Sequence, residues 1–333
     1  MKRFFAILGG SILALVAILA VLLFTPVTDP DLSAHPQPAG SYAEAVARIE
    51  AVSATEATMD LQPEGRGIAL LTGAHSTRAV ILFHGYTTVP EQFRLIGQAY
   101  RDQGYNVWIP RLPHHGATDR MTTEFSKINS VELRDFVDAS IDIGAGLGDE
   151  LTVAGLSGGG SLAVWSGFER PEVDHTILIS PLLHPLGYSD WQLPPMVRAL
   201  RLSPVDIWTW WSEDLKAANC AGYDYPRFSL KGIGALLTVF QWVDARNAPP
   251  VHSTFTLIRN DGDPRLDGEF NEAFLTRLVP ADQFSVVRIP AGEGLGHDLV
   301  AWQHHSENFA KLTRAYEYLS QAMGLPIADP KAH

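Results

Sequence analysis

Three side chains of this sequence have the types and the order needed for nucleophilic acyl chemistry: Ser157, Asp263 and His297. Ser157 stands in Gly155-Leu-Ser-Gly-Gly159, with small residues two before and two after it. Such flanks let a chain reverse direction tightly, which puts the hydroxyl at the apex of a strand–turn–helix elbow. A hydroxyl is a weak nucleophile at neutral pH and needs a base, usually a histidine that a carboxylate orients. His297 lies in the glycine-rich loop Gly292-Glu-Gly-Leu-Gly-His-Asp298, which is costly in chain entropy and which packing does not explain. Asp263 lies in the turn Asn260-Asp-Gly-Asp-Pro264; Asp261 and Asp267 offer competing carboxylates nearby. The order Ser, Asp, His is the one expected when such residues are carried on an α/β sheet.

The elements that must position them are visible as apolar runs. Leu151 to Leu156 reads as a buried central strand leading into Ser157, and Ala79 to Phe83 as a strand buried on both faces. Further strands are expected at Gly67 to Leu71, Asn106 to Pro110, His175 to Ser180, Phe255 to Ile258 and Phe284 to Ile289, with helices at Pro90 to Gln103 and Ser130 to Ile143. This alternation predicts a doubly wound, mostly parallel α/β sheet. Ser157, Asp263 and His297 then fall just beyond the carboxyl ends of strands, where such sheets bind ligands. The helix after Ser157 aims its N-terminal amides at the same place.

About seventy residues separate the strand ending at Ser180 from the one near Thr254, too many for a plain connection. They are rich in Trp and Pro, and helices are expected at Pro194 to Leu202, Val205 to Ala218 and Leu230 to Ala245. Residues 182–252 therefore read as a helical cap, with Trp191 and Trp211 as candidates to line an apolar substrate pocket.

The net charge of −12 argues against nucleic acid as the main partner. A lone cysteine, Cys220, excludes an internal disulfide or a cysteine metal cluster and leaves the redox compartment open. The His114-His115 and His304-His305 pairs do not read as metal ligands, because adjacent histidines diverge and no carboxylates join them at ligand spacing. No metal or organic cofactor is called for.

At the N-terminus, Lys2 and Arg3 precede an apolar run from Phe4 to Phe24, about 21 residues and enough to cross a bilayer. The run ends in Leu22-Leu-Phe-Thr-Pro26, a poor cleavage context. Residues 1–25 are thus expected to be an anchor, with the rest on the periplasmic or extracellular side; secretion after cleavage is the alternative. Residues 26–65 are expected to form a tether, exposed from Thr25 to Gly40, and a peripheral helix from Tyr42 to Val52. The α/β domain follows over 66–323 and a tail over 324–333.

Five motifs, in this order and spacing, resemble the serine hydrolases of the α/β-hydrolase superfamily, near the carboxylesterase and monoacylglycerol-lipase-like branch. They are His84-Gly-Tyr86, Leu112-Pro-His-His-Gly116, Gly155-Leu-Ser-Gly-Gly159, Asn260-Asp-Gly-Asp-Pro264 and Gly296-His-Asp298. The resemblance spans Ala79 to Met323. It implies Ser157 as nucleophile, His297 as general base and Asp263 as the orienting acid. It also implies an oxyanion hole from the amides of Gly158 and Tyr86. His114 stands where the family commonly has glycine and is a candidate to face substrate; His115 matches a histidine that is mostly a structural hydrogen-bonder. The expected reaction is hydrolysis of a carboxylic ester with an apolar acyl group, such as a monoacylglycerol, a lysophospholipid or a small ester. Thioester or amide cleavage, acyl transfer to an alcohol, and a lapsed membrane-tethered binding protein are the alternatives.

Overall fold

The computed structural model describes residues 9, 10, 13, 14, 16, 17, 30–211, 222–246, 249–301 and 309–326. Strands alternate with helices along the chain. They are β1 (Ile68–Leu70), β2 (Ser76–Phe83), β3 (Asn106–Ile109), β4 (Gly148–Leu156), β5 (His175–Ile179), β6 (Trp208–Trp210), β7 (Arg227–Ser229), β8 (Thr254–Asn260) and β9 (Phe284–Ile289). The helices are α1 (Tyr42–Ala57), α2 (Arg94–Asp102), α3 (Ser130–Leu147), α4 (Gly158–Glu169), α5 (Leu193–Leu202), α6 (Leu230–Asp244), α7 (Gly268–Leu278) and α8 (Phe309–Met323). Seven strands form one sheet in the order β1-β3-β2-β4-β5-β8-β9. Only the edge strand β1 pairs antiparallel in it; the other neighbours are parallel.

The apolar runs of the inner strands are continuous because both faces of the sheet are covered. Alternate side chains of β2 enter different cores: Ala79, Ile81 and Phe83 pack with residues of α1, α3, α4, α6 and α7. Val80 and Leu82 pack on the other face with Ile96 and Tyr100 of α2 and with Leu312, Tyr316 and Leu319 of α8. The period of two in the strand thus becomes a two-sided core.

Expectation and structure part company in three places. The stretch from Pro30 to Gly40 has mostly exposed side chains, as expected of a tether, but its backbone is pinned to the domain. Leu32 is fully buried, and its carbonyl accepts a 2.9 Å bond from the indole of Trp165. The amides of His35 and Gln37 donate to Asp138 Oδ2 and Asp142 Oδ1 of α3, at 2.8 and 2.9 Å. Those carboxylates are held in turn by Arg170, whose side chain is wholly buried, at 2.7 and 2.6 Å. A proline-rich segment cannot satisfy its own backbone, and here buried side-chain acceptors do so for it.

The second difference lies in the insertion between β5 and β8. Helices α5 and α6 form as expected, but Val205 to Trp211 is not helical: Trp208-Thr209-Trp210 pairs antiparallel with Arg227–Ser229. Alternating aromatic and β-branched residues favour that pleated pairing over a helix. The remainder of the expected helix, to Ala218, lies outside the described residues. Third, the helix expected from Pro90 opens with a 3-10 turn, Pro90–Phe93, before α2. The anchor expected over 1–25 and the His304-His305 pair also fall largely outside the described residues. Among the described residues no helix is long and apolar enough to cross a membrane.

Candidate active site

At the end of β4 the chain turns through Ser157, which holds φ 54° and ψ −114°. This is a left-handed conformation that a residue with a side chain rarely adopts, worth on the order of 1–3 kcal/mol of strain. Neighbouring backbone holds it there. The Ser157 amide donates to Ile179 O at 3.0 Å, and its carbonyl accepts from the amides of Leu182 (2.8 Å) and Ser161 (3.2 Å). The flanking glycines are required by contact. A Cβ built at Gly155 would lie 2.2 Å from Gly159 O, and one at Gly159 would lie 2.1 Å from Phe83 O. Ser161 in the next turn donates its hydroxyl to Leu182 O at 2.5 Å, a packing role inside the fold.

Helix α4 starts at Gly158 without a side-chain cap, so its first amides remain available to a ligand. The loop after β2 lies against them: a Cβ at Gly158 would sit 3.4 Å from the Tyr86 amide nitrogen. His84 shapes this loop, donating from Nδ1 to Gly85 O at 2.9 Å and accepting the Leu112 amide on Nε2 at 3.1 Å. Burial, with His115 and Arg111 nearby, holds the His84 imidazole well below its ordinary pKa, as this neutral bonding pattern requires. The His115 ring lies against the Tyr86 carbonyl (Nε2, 2.6 Å) and the Pro113 carbonyl (Nδ1, 2.8 Å). Burial pushes its pKa down to about 4, so the neutral ring donates to one of the two. The Tyr86 side chain is buried, with its hydroxyl bonded to Ser229 O at 2.9 Å and its ring against Phe125 and Phe228.

Asp263 and His297, from the turns after β8 and β9, come together: Nδ1 of His297 lies 2.7 Å from Asp263 Oδ2. The other carboxylate oxygen accepts the amides of Arg265 (2.8 Å) and Leu266 (3.2 Å). Burial pushes the Asp263 carboxyl up, but the His297 bond and charge together with the two amides outweigh it, and its pKa ends below the ordinary value. The competing carboxylates are occupied elsewhere. Asp261 pairs with Arg259 at 2.6 Å, and Asp267 caps α7 through the Phe270 amide.

Of the aromatics proposed for the pocket, Trp211 is at the site and Trp191 is not. Trp191 is 72% exposed on the surface, because the turn before α5 carries it outward. The Trp211 ring stacks beside His297, centroids 6.4 Å apart and planes 29° from parallel. His114 does not join this group. It takes φ 63° and sits between Glu124 and Glu132, each 3.2 Å from a ring nitrogen. There it lines a cavity of about 700 Å³ between α1, α3 and the loop after β3, whose lining includes neither Ser157, Asp263 nor His297.

One residue of the site went unnoticed in the sequence. Buried Gln92 accepts the Gly85 amide and the Thr88 hydroxyl on Oε1, each at 2.8 Å, and donates from Nε2 to Asp298 Oδ2 at 2.8 Å. It thereby ties the loop after β2 to the loop carrying His297. Its place beside Glu91 in the polar half of the turn Pro90–Phe93 gives no sign of that role in the sequence. Among the described residues no group of three or more His, Cys, Asp or Glu side chains is placed to hold a metal ion.

A parallel sheet that carries a strained serine elbow, an amide-lined helix start and a carboxylate-bonded histidine at strand ends defines a hydrolase-type α/β protein. Residues 80–312 match the alpha/beta hydrolase family, and the chain belongs to it. A curated relative, the thermostable monoacylglycerol lipase of Bacillus sp. (strain H-257), is 33% identical over 98 residues, which is 28% of this chain and 36% of the lipase. The chain thus matches about a third of that relative's length. Among solved structures, one of LipS and LipT, two metagenome-derived lipolytic enzymes, has a TM-score of 0.57 at 21% identity, over 76% of this chain and 99% of its own. The monoacylglycerol lipase of Paleococcus ferrophilus has a TM-score of 0.55 at 14% identity, over 79% and 99%. These likenesses show the fold.

Proposed function

We propose that the protein hydrolyses carboxylic esters with an apolar acyl group, through a Ser157-His297-Asp263 triad and an acyl-enzyme. The observation that carries the reading is the 2.7 Å bond between His297 Nδ1 and Asp263, on the sheet edge where the Ser157 elbow stands. Asp263 keeps the proton on Nδ1 and leaves Nε2 free to accept one. His297 then takes the Ser157 proton as Oγ attacks the ester carbonyl. The Tyr86 and Gly158 amides hold the oxyanion, and the leaving alcohol departs with the proton from His297. Water repeats the sequence and releases the acid. The lipolytic relatives and the aromatic insertion over residues 182–252 support a lipid-like ester such as a monoacylglycerol.

The apolar run from Phe4 to Phe24 supports a membrane anchor, with the α/β domain on the non-cytoplasmic side. Extraction of the full chain with alkaline carbonate tests this; release into the soluble fraction counts against it. The chemistry is tested by covalent labelling with a fluorophosphonate, expected for the wild type and lost in Ser157→Ala. Label that persists in Ser157→Ala refutes Ser157 as the nucleophile. Hydrolysis of p-nitrophenyl esters of increasing length then reads the acyl preference.

A further inference from the structure

Trp211 comes from the insertion, yet its contacts run to three different loops of the candidate site. Its indole Nε1 donates to Thr87 Oγ1 at 2.6 Å, next to the proposed oxyanion donor Tyr86. Its carbonyl accepts Nη2 of Arg265 at 2.7 Å, and the Arg265 guanidinium lies 5.0 Å over the indole ring. Arg265 in turn gives its own amide to Asp263 Oδ1. On another side the indole stacks beside the His297 imidazole, and it packs against Phe228 of the insertion with centroids 5.0 Å apart. A wall residue of a substrate pocket has no need of such attachments. A bonded Nε1 and ring contacts to Arg265, Phe228 and His297 hold the indole in one orientation, as a supporting residue requires.

We propose that Trp211 is a positioning residue: a latch through which the insertion holds the oxyanion loop, the acid turn and the histidine loop in one register. The insertion then does more than cover the site. Thr87 and His297 are both braced against the same indole. The inference rests on the Ser157 acyl-transfer reading above and deepens it. Trp211 acts through His297 and Thr87, so its loss should lower the rate of the acyl-transfer step and leave substrate affinity alone.

The experiment is a double-mutant cycle on the full chain with Trp211→Phe, which keeps a ring and removes the donor, and Thr87→Val, which removes the acceptor at nearly constant shape. Steady-state hydrolysis of p-nitrophenyl butyrate gives kcat and KM separately, and Tm reports folding. Each single variant is expected to lower kcat roughly 3- to 10-fold with KM unchanged, the size of one lost hydrogen bond. The double variant should be no worse than the weaker single one, because both remove the same link. Multiplicative losses in the double variant, an unchanged kcat, or a raised KM with kcat intact would each overturn the latch. The last outcome would make Trp211 a substrate wall. A wild type that fluorophosphonate does not label overturns the acyl-transfer reading and the latch with it; a labelled wild type with inert variants overturns the latch alone.

Discussion

Substituting Asp263→Asn isolates the histidine's tautomer from everything else in the site. Asp263 Oδ1 already accepts two amide protons, from Arg265 at 2.8 Å and Leu266 at 3.2 Å. In the asparagine variant only the carboxamide oxygen can occupy that position, since an NH2 group there would face two donors. The NH2 group is therefore turned toward His297, where the carboxylate oxygen now lies 2.7 Å from Nδ1. Facing a donor, Nδ1 must become the acceptor and the proton moves to Nε2, the nitrogen that has to receive the Ser157 proton. The shape of the site is kept and its base is disabled. For Ser-His-Asp arrangements this tautomer error costs about 10³- to 10⁴-fold in rate, or roughly 4–5.5 kcal/mol of transition-state stabilisation. Hydrolysis of p-nitrophenyl butyrate at pH 7.5 measures it, with Asp261→Asn and Asp267→Ala alongside. Asp261→Asn should keep kcat/KM within about threefold, because that carboxylate only pairs with Arg259 near the surface. Asp267→Ala should cost about 1 kcal/mol of stability through the lost helix cap, with little change in rate. If Asp263→Asn retains more than a tenth of the activity, or Asp261→Asn loses as much, the assignment of the acid is wrong. The stability profile carries a second signature. The folded pKa of Asp263 lies below its unfolded value, so its contribution is present above the ordinary carboxylate pKa and is lost as pH falls through the folded one. Asp263→Asn should lack that part of the acid dependence.

Arg170→Ala should destabilise the fold by about 3–5 kcal/mol, because it strands the buried carboxylates of Asp138 and Asp142. Urea unfolding measures the loss, and limited proteolysis should show new cleavage within residues 31–39, which those carboxylates hold. His84 is buried neutral with its pKa well below the ordinary imidazole value, so the unfolded chain takes up a proton there before the native one does. Stability should therefore fall as pH drops below about 6.5, by up to about 1.4 kcal/mol per pH unit from this group, and the slope should shrink in His84→Asn. Gly159→Ala should fail to give folded, active protein, since its Cβ would meet Phe83 O at 2.1 Å, a backbone atom that cannot yield. Gly158→Ala meets first the Leu236 methyl at 2.9 Å, the far end of a flexible side chain, and should keep activity within about tenfold. Equal losses in the two variants, read by soluble yield and kcat/KM, would refute the contact argument.

The residues proposed to carry chemistry were legible because their signals are local. The elbow at Ser157 is a five-residue pattern between a strand and a helix, and its glycines are demanded by contacts within and beside that turn. Continuous apolar runs disclosed the inner strands because both faces of the sheet are covered. What was not legible is what holds the loops to one another. Gln92 reaches Asp298 across 206 residues of sequence and Trp211 reaches Thr87 across 124, and nothing near either residue advertises a partner so distant. The choice among Asp261, Asp263 and Asp267 had the same character. All three stand near one turn, and only the positions of Arg259, His297 and the Phe270 amide separate them. Composition announced an aromatic insertion without saying which tryptophan turns inward, and it is Trp211 that meets His297 while Trp191 faces solvent. The backbone anchoring of residues 31–39 is hidden in the sequence for a related reason. A Pro, Asp and Ser-rich composition shows the exposed side chains of this stretch but not the two buried carboxylates, gathered by Arg170, that receive its amides. The proposed reacting groups are thus written in short motifs, whereas their mutual geometry depends on buried polar cross-links that chain folding alone brings within reach. It follows that variants at Gln92, Thr87 or Trp211 should perturb the reaction more than their distance in sequence from Ser157 would suggest.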